Sequence, residues 1–277
     1  MIAALIFVVG FALLPRIYTA GDKVENYEKV PAPKLAMRTS QASATTVPWI
    51  DSNASRYMRG LTKAFYATLP AGAAPLAAAE AFAWGAEAVL EPAPGDETSL
   101  SAMLGFLKSI EATSMPVRAN IGVIDDGTQE LAEVLNLLSR RNLLYRVLKA
   151  PDPALDLNIR VGSPEYPRDS LKNPNDFAAR VRERLSDDKR YVRLFGTYTV
   201  LANLTGTDER ARLHLVNYSG RAAKDIRVRV RGVYAQVKLS EAATPAMQAA
   251  DITVADKGTE FTVPHITTYA VIDLNAR

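Results

Sequence analysis

The sequence predicts an α/β domain of the Rossmann or flavodoxin type followed by an immunoglobulin-like antiparallel β-sandwich. Residues 120–148 run strand, helix, strand, with Leu131, Val134, Leu135 and Leu138 at helical spacing between two short apolar runs. That order is the mark of a parallel sheet with a crossover helix. From Thr199 onward the apolar period is two, and residues 211–217, 226–231, 259–264 and 268–274 alternate as half-buried antiparallel strands do. The change of period places the boundary near Thr197.

Taken in chain order, residues 1–14 form an apolar block with Arg16 behind it and the small residues Thr19, Ala20 and Gly21 following. Its length suits the h-region of an export signal better than a bilayer span, and the alternative is an uncleaved anchor. Both place the remainder outside the cytoplasm, secreted or periplasmic, with the signal or anchor over 1–20. Residues 21–46 are polar, hold Pro31 and Pro33, and read as a linker. The α/β part then spans 47–197 with a helical lead-in, and the sandwich 198–277.

Within the lead-in, Pro75 opens a helix of strong helix formers through Trp84, Gly85 stops it, and residues 86–90 read as a short strand. After Gly95, the acidic pair Asp96 and Glu97 opens a helix with Leu100, Met103, Leu104, Leu107 and Ile110 on one face. A strand at 120–126 ends in two carboxylates. A helix over 129–141 closes at Asn142, and strands follow at 144–148 and 155–161. Residues 162–173 read as a loop, Asn173 or Asn175 caps a helix to Leu185, and 191–195 return as a strand.

Composition narrows the function. The 277 residues carry 33 basic and 30 acidic side chains, a formal charge of +3, with no interleaving of basic and aromatic residues of the kind a nucleic-acid groove needs. Cysteine is absent, which excludes disulfides, thiolate zinc sites and a cysteine nucleophile. Only His214 and His265 are present, too few for a multi-histidine metal centre. No metal and no cofactor is expected.

The helix ending in Trp84-Gly85 and the strand Ala86-Glu-Ala-Val-Leu90 resemble the closing helix and strand of a (β/α)₈ glycoside hydrolase barrel. The strand–helix–strand region resembles the glutamine-amidotransferase-like domain that follows the barrel in β-galactosidase-type glycoside hydrolases. The tail resembles that family's small sandwich. The resemblance covers about Pro48 to Leu274 and rests on the order of modules. In the family the catalytic acid and nucleophile lie on barrel strands ahead of the final helix, for which there is no room before Pro48. The amidotransferase-like region also lacks the Gly-x-Cys-x-Gly elbow, so neither activity is carried onto a residue here.

Candidate site residues each have two readings. Asp125 and Asp126 lie at the carboxyl end of a parallel strand, where open α/β sheets bind ligands; alternatively Asp126 or Thr128 caps the next helix. Trp49 and Asp51 offer a stacking face and an acceptor for a saccharide, or Trp49 is core. Glu80 and Glu87 are alternative catalytic carboxylates, since glycosidic hydrolysis uses two carboxyls about 5–10 Å apart; otherwise Glu80 faces solvent in a helix. Arg227, Arg229 and Arg231 share one strand face, with Arg212 and His214 read as similarly solvated. The expected role is a non-catalytic accessory or assembly module binding a polysaccharide or a protein partner, with homo-oligomer formation possible. Glycoside hydrolysis is the alternative, nucleic acid is excluded, and a membrane is involved only if the N-terminal segment stays uncleaved.

Overall fold

An alanine-rich helix that is apolar on every side has to be covered on every side, and this requirement organises the first half of the molecule. The computed structural model describes residues 17–19, 26–37 and 48–277; the apolar block at 1–14 lies outside them. In chain order the elements are β1 (Ile17–Thr19), β2 (Glu28–Val30), β3 (Lys34–Met37), β4 (Pro48–Asp51), α1 (Ala54–Met58), β5 (Lys63–Tyr66), α2 (Ala74–Ala83), β6 (Glu87–Leu90) and α3 (Glu97–Ser109). Next come β7 (Ile121–Ile124), α4 (Gln129–Arg140), β8 (Tyr145–Leu148), β9 (Leu157–Ile159), a 3₁₀ turn (Arg168–Lys172) and α5 (Pro174–Leu185). The tail holds β10 (Val192–Phe195), β11 (Val200–Gly206), β12 (Arg210–Asn217), β13 (Ala223–Arg231), β14 (Gln236–Glu241), β15 (Ala250–Ala255), β16 (Gly258–Ile266) and β17 (Tyr269–Asn275).

Helix α2 ends as its sequence predicts. Gly85 takes φ +73°, its amide donates to the Phe82 carbonyl, and Ala86 N–H closes back on Ala81 at 2.9 Å, a Schellman turn. The chain then enters β6, which lies between β1 and β5 in a parallel sheet of order β1-β6-β5-β2. The lead-in is therefore a parallel sheet with its helices, where the sequence predicts little beyond helix. Residues 28–30 and 34–37, inside the segment expected as a linker, supply β2 and the β3 half of a hairpin with β4. Strands of three and four residues with two prolines between them give no readable period.

The second sheet has the order β8-β7-β9 and is parallel throughout. Helix α4 covers it with Leu131, Val134, Leu135 and Leu138, all fully buried, each such side chain contributing about 1.5–3 kcal/mol. Gly122, in the central strand, is required by close approach: a Cβ there would stand 2.7 Å from Asn158 Oδ1 and 2.7 Å from Leu148 Cδ1.

The tail is two four-stranded antiparallel sheets, β11-β12-β17-β14 and β10-β13-β16-β15. Strand β10 pairs with β13 from Val192 to Phe195, so the antiparallel part begins before the expected boundary of 198. The first sheet buries both faces. Leu213, Leu215, Ile272 and Leu274 meet the second sheet, while Leu201, Val216, Tyr269 and Val271 join the core built on α2 and α3. This corrects the expectation that Arg212 and His214 are solvated: they are 3% and 7% exposed. Alternation in β12 reports two faces but not that a second layer covers the polar one.

Candidate functional site

The cover over α2 leaves one carboxylate sealed inside. Glu80, expected to face solvent, has no exposed surface. Its Oε1 accepts from the Asn53 backbone N–H at 2.8 Å and the Tyr218 hydroxyl at 2.9 Å. Its Oε2 accepts from Asn53 Nδ2 at 2.9 Å and the Tyr66 hydroxyl at 2.8 Å. Tyr66 is in turn bonded to the Tyr57 hydroxyl, and Asn53 Nδ2 also donates to the Pro31 carbonyl at 2.9 Å. Three other segments of chain thus donate directly to one carboxyl group, and Tyr57 and Pro31 extend the network.

Burial pushes the Glu80 carboxyl above the ordinary carboxylate range, against the opposing pull of the Asn53 and tyrosine donors. Burial, followed by the Glu80 charge, pushes the Tyr66 and Tyr218 hydroxyls up, so both remain donors. With two donors on each oxygen, the group is satisfied in its present place. The sequence held a signal for this: Glu80 stands in Ala77-Ala-Ala-Glu-Ala-Phe82, a helix with no polar face, and such a helix is buried. Its partners Tyr57, Tyr66, Asn53 and Tyr218 carry no local signal.

Glu87 is half-buried on β6 and accepts from the Tyr27 hydroxyl. Asp125 Oδ1 accepts from Arg59 Nη2 at 2.8 Å and from Gly127 N–H at 3.0 Å. Asp126 Oδ1 takes the Thr128 amide at 3.0 Å and hydroxyl at 2.6 Å, while Oδ2 meets Arg168 Nη2 at 2.8 Å. Partial burial raises its carboxyl, but the Thr128 donors and Arg168 outweigh that and hold it below the usual range. Thr128 is the N-cap of α4, its hydroxyl accepting from Leu131 N–H at 3.3 Å. Asp126 braces the cap, and the cap residue itself is Thr128.

Trp49 and Asp51 share β4 but serve different neighbours. The Arg140 guanidinium lies 3.9 Å from the centre of the Trp49 ring, and Trp49 packs against the core of the second sheet. Asp51 faces Lys34 across the hairpin at 3.9 Å. Arg140 and Thr128 stand at opposite ends of α4, about 18 Å apart at 1.5 Å per residue. Trp49 and Asp125 therefore meet the same helix at its two ends, and the two aspartates remain together at one of them.

His214 is a second buried titratable group, on β12. Its Nδ1 lies 2.6 Å from the Tyr269 hydroxyl, with the Phe82 ring edge-on at 6.2 Å. Burial first, and Arg212 second, push it down to about 3, so it is neutral at physiological pH. Among the described residues, no three His, Asp or Glu side chains converge as a metal site, and no helix is long and apolar enough to cross a membrane.

The architecture, mixed α/β with antiparallel sheets, is one found among glycoside hydrolases. The alpha-L-fucosidase isoenzyme 2 from Paenibacillus thiaminolyticus superposes with a TM-score of 0.55 at 8% identity, over 77% of this chain and 59% of the fucosidase. A GH42 β-galactosidase from G. stearothermophilus matches at TM-score 0.46 and 10% identity, over 89% of this chain and 53% of its own. A GH42 exo-carrageenase from Bacteroides ovatus matches at 0.42 and 8%, over 89% and 47%. The chain spans about half the length of the enzymes it resembles, and the likeness to the fucosidase is one of fold. No protein-family model matches the chain, and no curated protein matches it.

Proposed function

We propose that this chain is an exported, non-catalytic accessory or assembly module of glycoside-hydrolase ancestry that binds a saccharide. In this reading the β8-β7-β9 region is a Rossmann-like, amidotransferase-type unit and the tail an immunoglobulin-like sandwich. The observation that carries the reading is the state of Glu80. Glycosidic cleavage asks for two carboxyls flanking an open bond, whereas this one takes four donors in a closed interior and ties the parallel sheet to the sandwich. Asp125 and Asp126 are likewise engaged by Arg59 and Arg168. Screening the whole chain on a glycan array and for release of reducing sugar tests the proposal. Binding without turnover supports it. Turnover that Asp125→Asn or Glu87→Gln abolishes overturns it in favour of a hydrolase, and silence on every glycan points instead to a protein partner.

A further inference from the structure

A cleft of ≈ 520 Å³ opens between the loop that follows β9 and the outer face of α5, lined by Glu165, Tyr166, Pro167, Arg180, Glu183 and Arg184 among others. Its size falls within the range of about 300–1,000 Å³ occupied by small-ligand sites. None of the residues named above as candidates lines it. Two features show unused hydrogen-bonding capacity. The Tyr166 side chain is 6% exposed, yet its hydroxyl is buried with no hydrogen-bond partner, a state that costs free energy and is rare in folded proteins. Arg180 and Glu183, three residues apart on α5, are both exposed, and among the described residues their side chains form no ion pair or hydrogen bond.

The remaining pair is already engaged: Arg184 is bridged to Glu165 and lies over the Tyr166 ring, 5.6 Å from its centre. Two arginines and two glutamates make the lining electrically balanced. A carboxylate or sulfate ligand would meet the glutamates, and a cation the arginines. A neutral ligand rich in hydroxyls meets neither penalty, because each hydroxyl both donates, to Glu183, and accepts, from Arg180. Pro167 supplies exposed apolar surface beside these groups. The loop is fixed from outside the cleft, since Arg168, next to Pro167, holds Asp126 at 2.8 Å.

We infer that this cleft is a binding subsite for a neutral saccharide, with Arg180, Glu183 and the Tyr166 hydroxyl as its polar contacts. The inference rests on the saccharide-binding reading above and gives it a location. Titration calorimetry of the full chain with cellobiose, lactose, xylobiose and mannobiose, and with digalacturonate as the anionic control, tests it. At least one neutral disaccharide is expected to bind, with Arg180→Ala and Glu183→Ala each weakening it about tenfold and Tyr166→Phe several-fold. Circular dichroism of each variant confirms that the fold is kept, and Tyr166→Phe removes a single atom that has no partner to lose. Neutral binding unmoved by all three variants overturns the cleft while leaving saccharide binding in place. Binding confined to digalacturonate overturns the neutral selectivity, and no binding of any probe overturns the cleft and the saccharide reading together.

Discussion

Tyr218 donates its hydroxyl to Glu80 Oε1 at 2.9 Å across 138 residues of chain, joining a turn of the sandwich to the helix that backs the first parallel sheet. The bond lies wholly inside the protein, where a lost partner leaves the other group dry and unsatisfied.

Glu80→Ala strands four donors at once, and urea unfolding of this variant is expected to lie about 3 kcal/mol or more below the parent. Tyr218→Phe, which removes one donor and leaves three, is expected to cost about 1–2 kcal/mol. The folded-state value of Glu80 is raised, so the folded chain holds that proton more tightly than the unfolded one. Its contribution to stability is fullest at low pH and declines as pH rises past the ordinary carboxylate range. Glu80→Gln should flatten that decline.

His214 imposes the opposite slope. Its folded-state value near 3 lies below the ordinary 6.5, so stability from keeping it neutral is complete above pH 6.5 and is lost as pH falls toward 3. The loss is on the order of 4–5 kcal/mol across that window. Urea midpoints measured between pH 7 and pH 4 should show it, and His214→Gln should remove most of the dependence.

Gly122→Ala introduces a methyl against Leu148, Leu155 and Asn158, whose Oδ1 is itself held by the Asp152 amide at 2.9 Å. The leucine ends can shift and the asparagine is restrained, so a loss of about 1–3 kcal/mol is expected. Thermal unfolding measures it, and an unchanged midpoint would show that β9 slides to make room.

Thr128→Ala removes the cap of α4 and should cost about 1 kcal/mol. Asp126→Asn is expected to cost less, because the Thr128 hydroxyl still reaches the Leu131 amide at 3.3 Å. A larger loss for Asp126→Asn would show that the Arg168 pair, rather than the cap, is the stronger tie.

What could be read from the sequence was whatever its neighbours in the chain determine. The buried face of α4, the Gly85 stop of α2 and the Asn173 cap, which accepts from the Asp176 amide at 3.2 Å, each depend on residues within a turn or two. The surroundings of Glu80 and His214 depend on contacts more than fifty residues away, Glu80 on Tyr218 and His214 on Tyr269. Polar residues inside alternating runs therefore read as solvated when a second layer in fact covers them, and for Glu80 only the missing polar face of α2 points the other way. Strand β10 is legible from its own residues, but its partner Arg227–Val230 is not, because it lies more than thirty residues further on. Of the candidate site, the aspartate pair at the end of β7 was visible in advance. The arginines that engage it, Arg59 and Arg168, were not, because neither lies near it in the chain.

Because the sheet β11-β12-β17-β14 is covered on both faces over its strands β11, β12 and β17, the tail is not a detachable part. Severed near residue 198, it would lose β10 and bare Tyr269, Val271 and the Arg212–Asp273 pair, all shaped to lie under α2 and α3. A liberated tail of that kind is expected to clump, whereas the polypeptide carrying its helices stays dispersed.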